Sequence, residues 1–299
     1  MHLRFVTLDV FTQTRLAGNP LAVVIDADGL DPRQMQAIAR EFNLAETVFI
    51  LQPADPDHRA RLRIFTPAAE LPFAGHPTVG TAVLLGCMTG TNHTRELVLE
   101  EPIGLVRCRV TPQGRTEGHA SFAIPRLPAE AGQPPDRQVA AAALNLNEDD
   151  IGCGDFRPAR WSAGVALTFV PVRGLAAIAR ARPDGARFEN AFGETSPAMT
   201  YLFCSETCEP ENHFHARMFA PALGIPEDPA TGAAAAAFAG LLSASGRFPD
   251  GRHDIRIEQG YEMGRPSRIE LGLERSNGGL VSVTIGGHAV VVSQGTIEV

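Results

Sequence analysis

The sequence predicts an α+β chain of two pseudo-symmetric domains, each a mixed β-sheet or barrel wrapped around one central buried helix. Three observations predict it. Strand-like runs are many and long helices few, without the regular β–α alternation that a doubly wound parallel sheet needs. Two stretches, Glu70 to Gly86 (ELPFAGHPTVGTAVLLG) and Glu227 to Leu242 (EDPATGAAAAAFAGLL), share one grammar: a polar approach containing proline, then an uncharged run of small residues. The run beyond each approach carries no charge on any face, the mark of a helix buried all round. The length of 299 residues is ample for two ordinary domains.

Taken in order, Leu3 to Phe11 and Leu21 to Ile25 read as strands, with Gly18, Asn19 and Pro20 as a tight turn between them. Asp31 starts a helix: Pro32 follows at its first position, Gln34 completes a capping pattern, and Met35, Ile38, Ala39 and Phe42 fall on one face. Asn43 ends it, and Thr47 to Leu51 and Arg61 to Phe65 are the next strands. The first central helix then opens at Gly75, His76, Pro77 and Thr78. Its buried N-terminus leaves backbone N–H groups and a positive dipole end, a combination that asks for an anion such as a small-molecule carboxylate.

Strands are expected at Glu96 to Glu100, Leu105 to Val110 and His119 to Ile124. Leu127 to Arg137, with three prolines and a glycine, reads as a surface connector. The domains are therefore placed at 1–127, joined by the closing strands at 286–299, and at 128–285. The second opens with a helix at Gln138 to Leu146, a strand at Val165 to Val172 and a short helix from Leu175 to Ala181. Strands at Met199 to Cys204 and His215 to Phe219 precede the second central helix. The tail reads as five strands: Asp254 to Glu258, Arg268 to Leu273, Leu280 to Ile285, Ala289 to Val292 and Thr296 to Val299. The lone Trp161 reads as packing.

Composition narrows the function. With 44% hydrophobic and 20% charged residues the chain is globular, and a net charge of −8 argues against a nucleic-acid partner. The N-terminus lacks a secretory h-region and no stretch is long and apolar enough for a bilayer, so a cytoplasmic protein with no membrane partner is expected. The five cysteines are scattered and form no CxxC pair. Cys204 and Cys208 with His213 and His215 offer ligand types, but the segment reads equally as a strand and loop with ordinary thiols, and no metal is expected. Glu46, between a helix end and an apolar strand, points either into a cleft or, as a solvated strand-end residue, outward.

Five motifs in order, GNP (Gly18 to Pro20), NLAETVF (Asn43 to Phe49), FTPAAELPFAGHPTVGTA (Phe65 to Ala82), RMFAPALGIPEDPATGAA (Arg217 to Ala234) and QGYEMGRPS (Gln259 to Ser267), resemble the PhzF-like family of phenazine biosynthesis. That family is a branch of the diaminopimelate-epimerase fold, and the resemblance covers nearly the whole chain. It implies an active site between two domains, homodimers, and isomerase chemistry without a cofactor. In its best-known member a proton moves from C3 to C1 of trans-2,3-dihydro-3-hydroxyanthranilate. It also implies Glu46 as the acid/base, flanked by His76 and Asp228; Gly75, Thr231, Gly232 and Ala233 are placed at the substrate, and Asn19 either lines the cleft or serves only the turn.

The residue types suit this. A conjugated carbon acid needs one base that removes a proton and returns it elsewhere on the same face, and a carboxylate raised by burial can do both. Two departures are visible: Ala45 and Ala233 stand where the phenazine enzymes have serines, which implies a substrate held by fewer polar contacts. The two-thiol racemase of the epimerase branch is disfavoured, because Ala74 precedes Gly75 and no cysteine lies near Thr231. An epimerase or racemase using Glu46 against Asp228 or His76, and a PhzF-like binding protein without turnover, are the alternatives.

Overall fold

The computed structural model describes residues 1–193 and 197–299. The chain divides into two compact units, Met1–Pro125 with Gly286–Val299, and Arg126–Ile285.

In the first unit the strands are β1 (His2–Val10), β2 (Asn19–Ile25), β3 (Glu46–Leu51), β4 (Ala60–Phe65), β5 (Glu70–Leu71), β6 (Arg95–Glu101), β7 (Gly104–Pro112) and β8 (Glu117–Ala123). The helices are α1 (Pro32–Phe42) and α2 (Gly75–Cys87). The capping box at α1 is present: the Asp31 carboxylate accepts from the Arg33 and Gln34 backbone, and the Gln34 side chain accepts from the Asp31 N–H. Asn43 closes the helix in the left-handed region, which its short polar side chain tolerates. Every residue of α2 is buried, as an uncharged run of small residues demands.

In the second unit the strands are β9 (Ala129–Glu130), β10 (Ala159–Ser162), β11 (Ala166–Pro171), β12 (Thr200–Cys204), β13 (Phe214–Ala220), β14 (Ile225–Asp228), β15 (Gly251–Gln259) and β16 (Ser267–Ser276). The helices are α3 (Arg137–Ala143), α4 (Leu175–Arg180), α5 (Gly185–Phe192) and α6 (Gly232–Ala244). The last strand, β17 (Gly279–Glu298), begins in this unit and finishes in the first.

The two units repeat one order of pairings. In the first, β1 and β2 are antiparallel, β2 and β3 parallel, β3 and β4 antiparallel, β4 and β6 parallel, and β6 and β7 antiparallel. In the second, β10 through β13, β15 and β16 follow the same sequence of antiparallel and parallel pairs. A short hairpin strand, β5 or β14, precedes the central helix in each. In the first unit β7 pairs with β8, β8 with β17 and β17 with β1, so the sheet closes into a barrel around α2. Closure removes the exposed sheet edges.

Several expectations need correction. The three tail strands from Leu280 onward are one continuous strand, β17. Gly286 does not break it, because that glycine lets the strand approach Ser121 and Ala120 of β8 closely; a Cβ there would lie 2.8 Å from the Ser121 Cβ. The helix expected to reach Leu146 stops at Ala143, since Asn145 turns into the left-handed region and its amide donates to the Arg182 carbonyl. The proline-rich connector contains β9, and β10, β14 and α5 are additional elements. Each is too short for periodicity to show: β9 and β10 pair with each other across the intervening helix, β14 folds back on β13 as a hairpin, and α5 is held by packing at Phe188 and Phe192.

Candidate active site

Helix α2 seats the first cluster. Gly80 lies against Val10 and Leu21, and a Cβ at that position would come within 2.7 Å of both side chains. The absent side chain lets the helix lie close on β1 and β2, which sets its first turn beside the start of β2. There the His76 ring bonds to the Pro20 carbonyl, and its Nε2 lies 3.4 Å from Glu46 Oε2. Glu46 reaches this point because it opens β3, whose parallel register places it opposite Leu21.

The geometry assigns the imidazole tautomer. Nε2 has no hydrogen-bond partner among the described residues, so the bond to Pro20 is made through Nδ1, which must carry a proton to donate to a carbonyl. Burial pushes His76 down to about 3, so the neutral ring directs an Nε2 lone pair at the Glu46 carboxyl. Nε2 therefore faces the Glu46 carboxyl as an acceptor, placed to take a hydrogen bond from it once Glu46 carries a proton.

The turn before this cluster is built from unusual backbone. Phe11, Leu16 and Gly18 all have positive φ, and the Asp9 carboxylate accepts the Leu16 N–H at 2.6 Å. Gly18 is required, because a side chain would collide with the Val10 carbonyl and Thr12. Asn19, fully buried, then starts β2 opposite Val10. Gly75 is the first residue of α2, and no side chain of the N-cap residue Ala74 caps the helix.

Glu101 also belongs to this helix entrance, and nothing in the sequence signals it. It is 7% exposed, and its Oε1 lies 2.8 Å from Thr78 Oγ1, which lies 2.8 Å from the Ala74 carbonyl. A hydroxyl has one proton to give. Thr78 donates it to Glu101, since the Ala74 carbonyl already accepts the Thr78 backbone N–H. Burial pushes Glu101 up to about 8. A neutral acid thus ties β6 to the first turn of α2.

The sign of the resulting pH dependence follows. Glu101 binds its proton more tightly folded than unfolded, so its contribution is complete below about pH 4.5 and is lost as pH rises through about 8. Glu101→Gln keeps a neutral acceptor for the Thr78 hydroxyl and cannot titrate. We expect urea melts of wild type and variant to diverge between pH 5 and pH 8, with wild type falling by up to about 1.4 kcal/mol per pH unit relative to the variant. Parallel pH profiles would show that Glu101 is ionised in the folded protein.

In the second unit, Asp228 ends β14 and is buried, Thr231 is the N-cap of α6, Gly232 is its first residue and Ala233 the second. The buried amide of Gln259 organises them. Its Nε2 donates to the Asp228 carbonyl at 2.7 Å and to Thr231 Oγ1 at 3.0 Å, and its Oε1 accepts the Thr231 N–H at 3.2 Å. Thr231 must then turn its own proton to Asp228 Oδ2, 2.5 Å away. The relay runs one way, from Gln259 through Thr231 to an Asp228 oxygen that accepts.

Arg217 braces the same strand from the other side. Its guanidinium pairs with Glu227 through two bonds of 2.8 Å and donates to the carbonyls of Ile178 and Ala181. Tyr201, fully buried, is raised by burial and then by the Asp228 charge. Gln259, Arg217 and Glu101 are absent from the sequence-based site. Gln259 stands beside the glycine of the QGYEMGRPS motif, which was the available signal. Trp161 is packing, pressed against Gly240 of α6.

A paired-ladder α+β fold around two buried helices, with acids, an imidazole and amides at the helix entrances, is that of the diaminopimelate-epimerase class. The family model described as phenazine biosynthesis-like protein, PhzC-PhzF, matches residues 8–295. The chain is 49% identical over 302 residues to an uncharacterized isomerase of Mesorhizobium japonicum, with 98% of each chain covered. It is 35% identical over 295 residues to the trans-2,3-dihydro-3-hydroxyanthranilate isomerase of Pseudomonas aeruginosa, covering 99% of each. The crystal structure of a PhzF-family phenazine biosynthesis protein from Bacillus anthracis superposes with a TM-score of 0.89 at 26% identity, covering 100% of both chains. The chain belongs to the PhzC-PhzF family, and it is an isomerase. Among the described residues no helix is long and apolar enough to cross a membrane.

Proposed function

We propose that the protein isomerises a small, conjugated carboxylic acid without a cofactor, moving one proton between two carbons by way of Glu46. The observation that carries this reading is the Glu46–His76 pair, 3.4 Å apart, with the imidazole tautomer set by the Pro20 carbonyl. The Glu46 carboxylate takes a proton from an activated carbon while the electron pair moves into the conjugated system. The same carboxyl then returns the proton to the carbon at the far end of that system. His76 Nε2 shares the proton while it rests on the enzyme, which keeps it from bulk water.

In this reading His76 and Asp228 hold the amino or hydroxyl group of the substrate, and Thr231, Gly232 and the N–H groups around Gly75 take its carboxylate. The support is the match of family motifs at these positions and the Gln259 relay that leaves Asp228 an acceptor. Ala45 and Ala233 supply no hydroxyl, so the substrate makes fewer polar contacts than dihydro-hydroxyanthranilate makes in enzymes with serines there.

Turnover of dihydro-hydroxyanthranilate and a panel of conjugated cyclic acids in D2O, followed by NMR, tests the proposal. Shared-proton isomerisation places the migrating atom at a new carbon, with solvent deuterium appearing there only to the extent that Glu46 exchanges. Deuterium on the original carbon with inverted configuration would instead identify an epimerase. The family resemblance further supports a cytoplasmic homodimer, for which light scattering should return twice the 31.9 kDa of one chain; a mass of one chain at micromolar concentration would end that part of the proposal.

A further inference from the structure

The second unit holds a cluster that the proposed reaction does not use. His215, on β13, is 1% exposed and lies between two carboxylates: Nδ1 is 2.7 Å from Glu258 Oε1 and Nε2 is 3.0 Å from Glu262 Oε1. Cys208 Sγ approaches the same Nδ1 at 3.9 Å, from a loop open to solvent. Sulfur, imidazole nitrogen and carboxylate oxygen of Cys208, His215 and Glu258 all lie within 4.8 Å of one another. Cys208 and His215 were visible as a pair of ligand types in the sequence, but Glu258 comes from β15, 43 residues beyond His215.

We propose that Cys208, His215 and Glu258 form a binding site for a zinc-type divalent cation. The donor set is borderline-soft, with thiolate, imidazole and carboxylate, which suits zinc over magnesium or calcium. The surrounding bonds are those of an outer shell already in place. Nε2 of His215 is held by the Glu262 carboxylate, the support that orients a metal-binding imidazole through its other nitrogen. Glu258 Oε2 is held by the Asn212 amide at 2.7 Å and the Glu209 N–H at 3.1 Å. Asn212, itself 9% exposed, is thus a buried support of the Glu258 carboxylate.

In the metal-free protein a proton occupies the gap between Nδ1 and Oε1. Tetrahedral ligands at about 2.0–2.3 Å from zinc stand roughly 3.2–3.7 Å apart. The S–N distance is close to that range, and the N–O gap opens by roughly half an ångström to reach it. The exchange balances: one divalent cation enters, and the imidazolium Nδ1 proton and the Cys208 thiol proton leave. The charge of the cluster, with Glu227, Glu258 and Glu262 against Arg217, is the same before and after. Arg217 does not oppose the cation directly, because it is committed to Glu227 and stands 4.0 Å from Glu262. The exposed side of Cys208 leaves the fourth position to water.

Chelator-treated full-length protein titrated with Co2+ should develop a near-ultraviolet thiolate-to-cobalt band together with tetrahedral d–d absorption, at one equivalent. Calorimetry with Zn2+ in buffers of different ionisation enthalpy should count two released protons. Cys208→Ser, at an exposed position, should remove the near-ultraviolet band and weaken Zn2+ by at least ~10-fold. Zn2+ should also protect Cys208 of the unaltered protein from alkylation, a readout that needs no variant, since the other four cysteines are buried. Absence of the cobalt band, or a Zn2+ affinity that Cys208→Ser leaves unchanged, would overturn the proposal.

Discussion

Glu46→Gln is expected to lower the turnover number by about 10²–10⁴-fold while leaving the substrate's affinity within a few-fold of wild type. The amide is nearly isosteric and keeps the packing at the start of β3. It cannot accept a proton from carbon at any accessible pH, so the chemical step loses its base. The split matters: an interaction made only in the transition state lowers kcat and kcat/KM together, whereas loss of a binding contact raises KM alone. Steady-state kinetics on any substrate that the panel identifies gives both parameters. A variant with wild-type turnover would remove Glu46 from the mechanism, and one with unchanged kcat and a raised KM would demote it to a binding residue.

The largest expected loss of stability is at Arg217→Met. Arg217 is 2% exposed and ties Glu227 to the carbonyls that end α4, so its removal leaves a mostly buried carboxylate without its guanidinium. Breaking one side of such a pair costs about 3–5 kcal/mol. For a chain of this size that is a fall of roughly 6–20 °C in Tm. The double variant Arg217→Met with Glu227→Gln should recover part of the loss, because the stranded charge is gone while the packing of the longer side chain remains. Calorimetric melts of the two single variants and the double variant close the cycle. If the double variant is as unstable as the sum of the singles, the pair contributes through packing and not through its charges.

The consequence reaches the site, because Glu227 precedes Asp228. Arg217 holds β14 from one side and Gln259 holds its last carbonyl from the other. Asp228 is therefore positioned by two side chains that come from different strands, and neither contact is local in sequence.

This contrast runs through the molecule. The Asp31 and Gln34 capping box, the Asn43 stop and the two uncharged helices were legible because each depends on residues within one turn or on the absence of charge along a single segment. The resemblance to the PhzF-like family was legible because its motifs sit in order along the chain. Glu46 and His76 were legible as candidates through those motifs, but their approach to one another needed the parallel register of β2 and β3 and the close seating of α2 at Gly80. The merging of three tail strands into β17 depended on partners in β1 and β8, nearly three hundred residues away in the case of His2 and Glu298.

What the sequence by itself determined is the list of segments that must be buried, the turns that punctuate them and the chemical types at the helix entrances. Those follow from local sterics, capping and hydrophobic burial, which act between near neighbours along the chain. Only the tertiary structure decided that Thr78 would meet Glu101 as a neutral acid, that Gln259 would orient Thr231 and Asp228, and that Cys208 and His215 would find Glu258. Each depends on a hydrogen bond or ion pair between strands whose separation along the chain carries no periodic signal, and desolvation at those meeting points sets the protonation on which their chemistry rests.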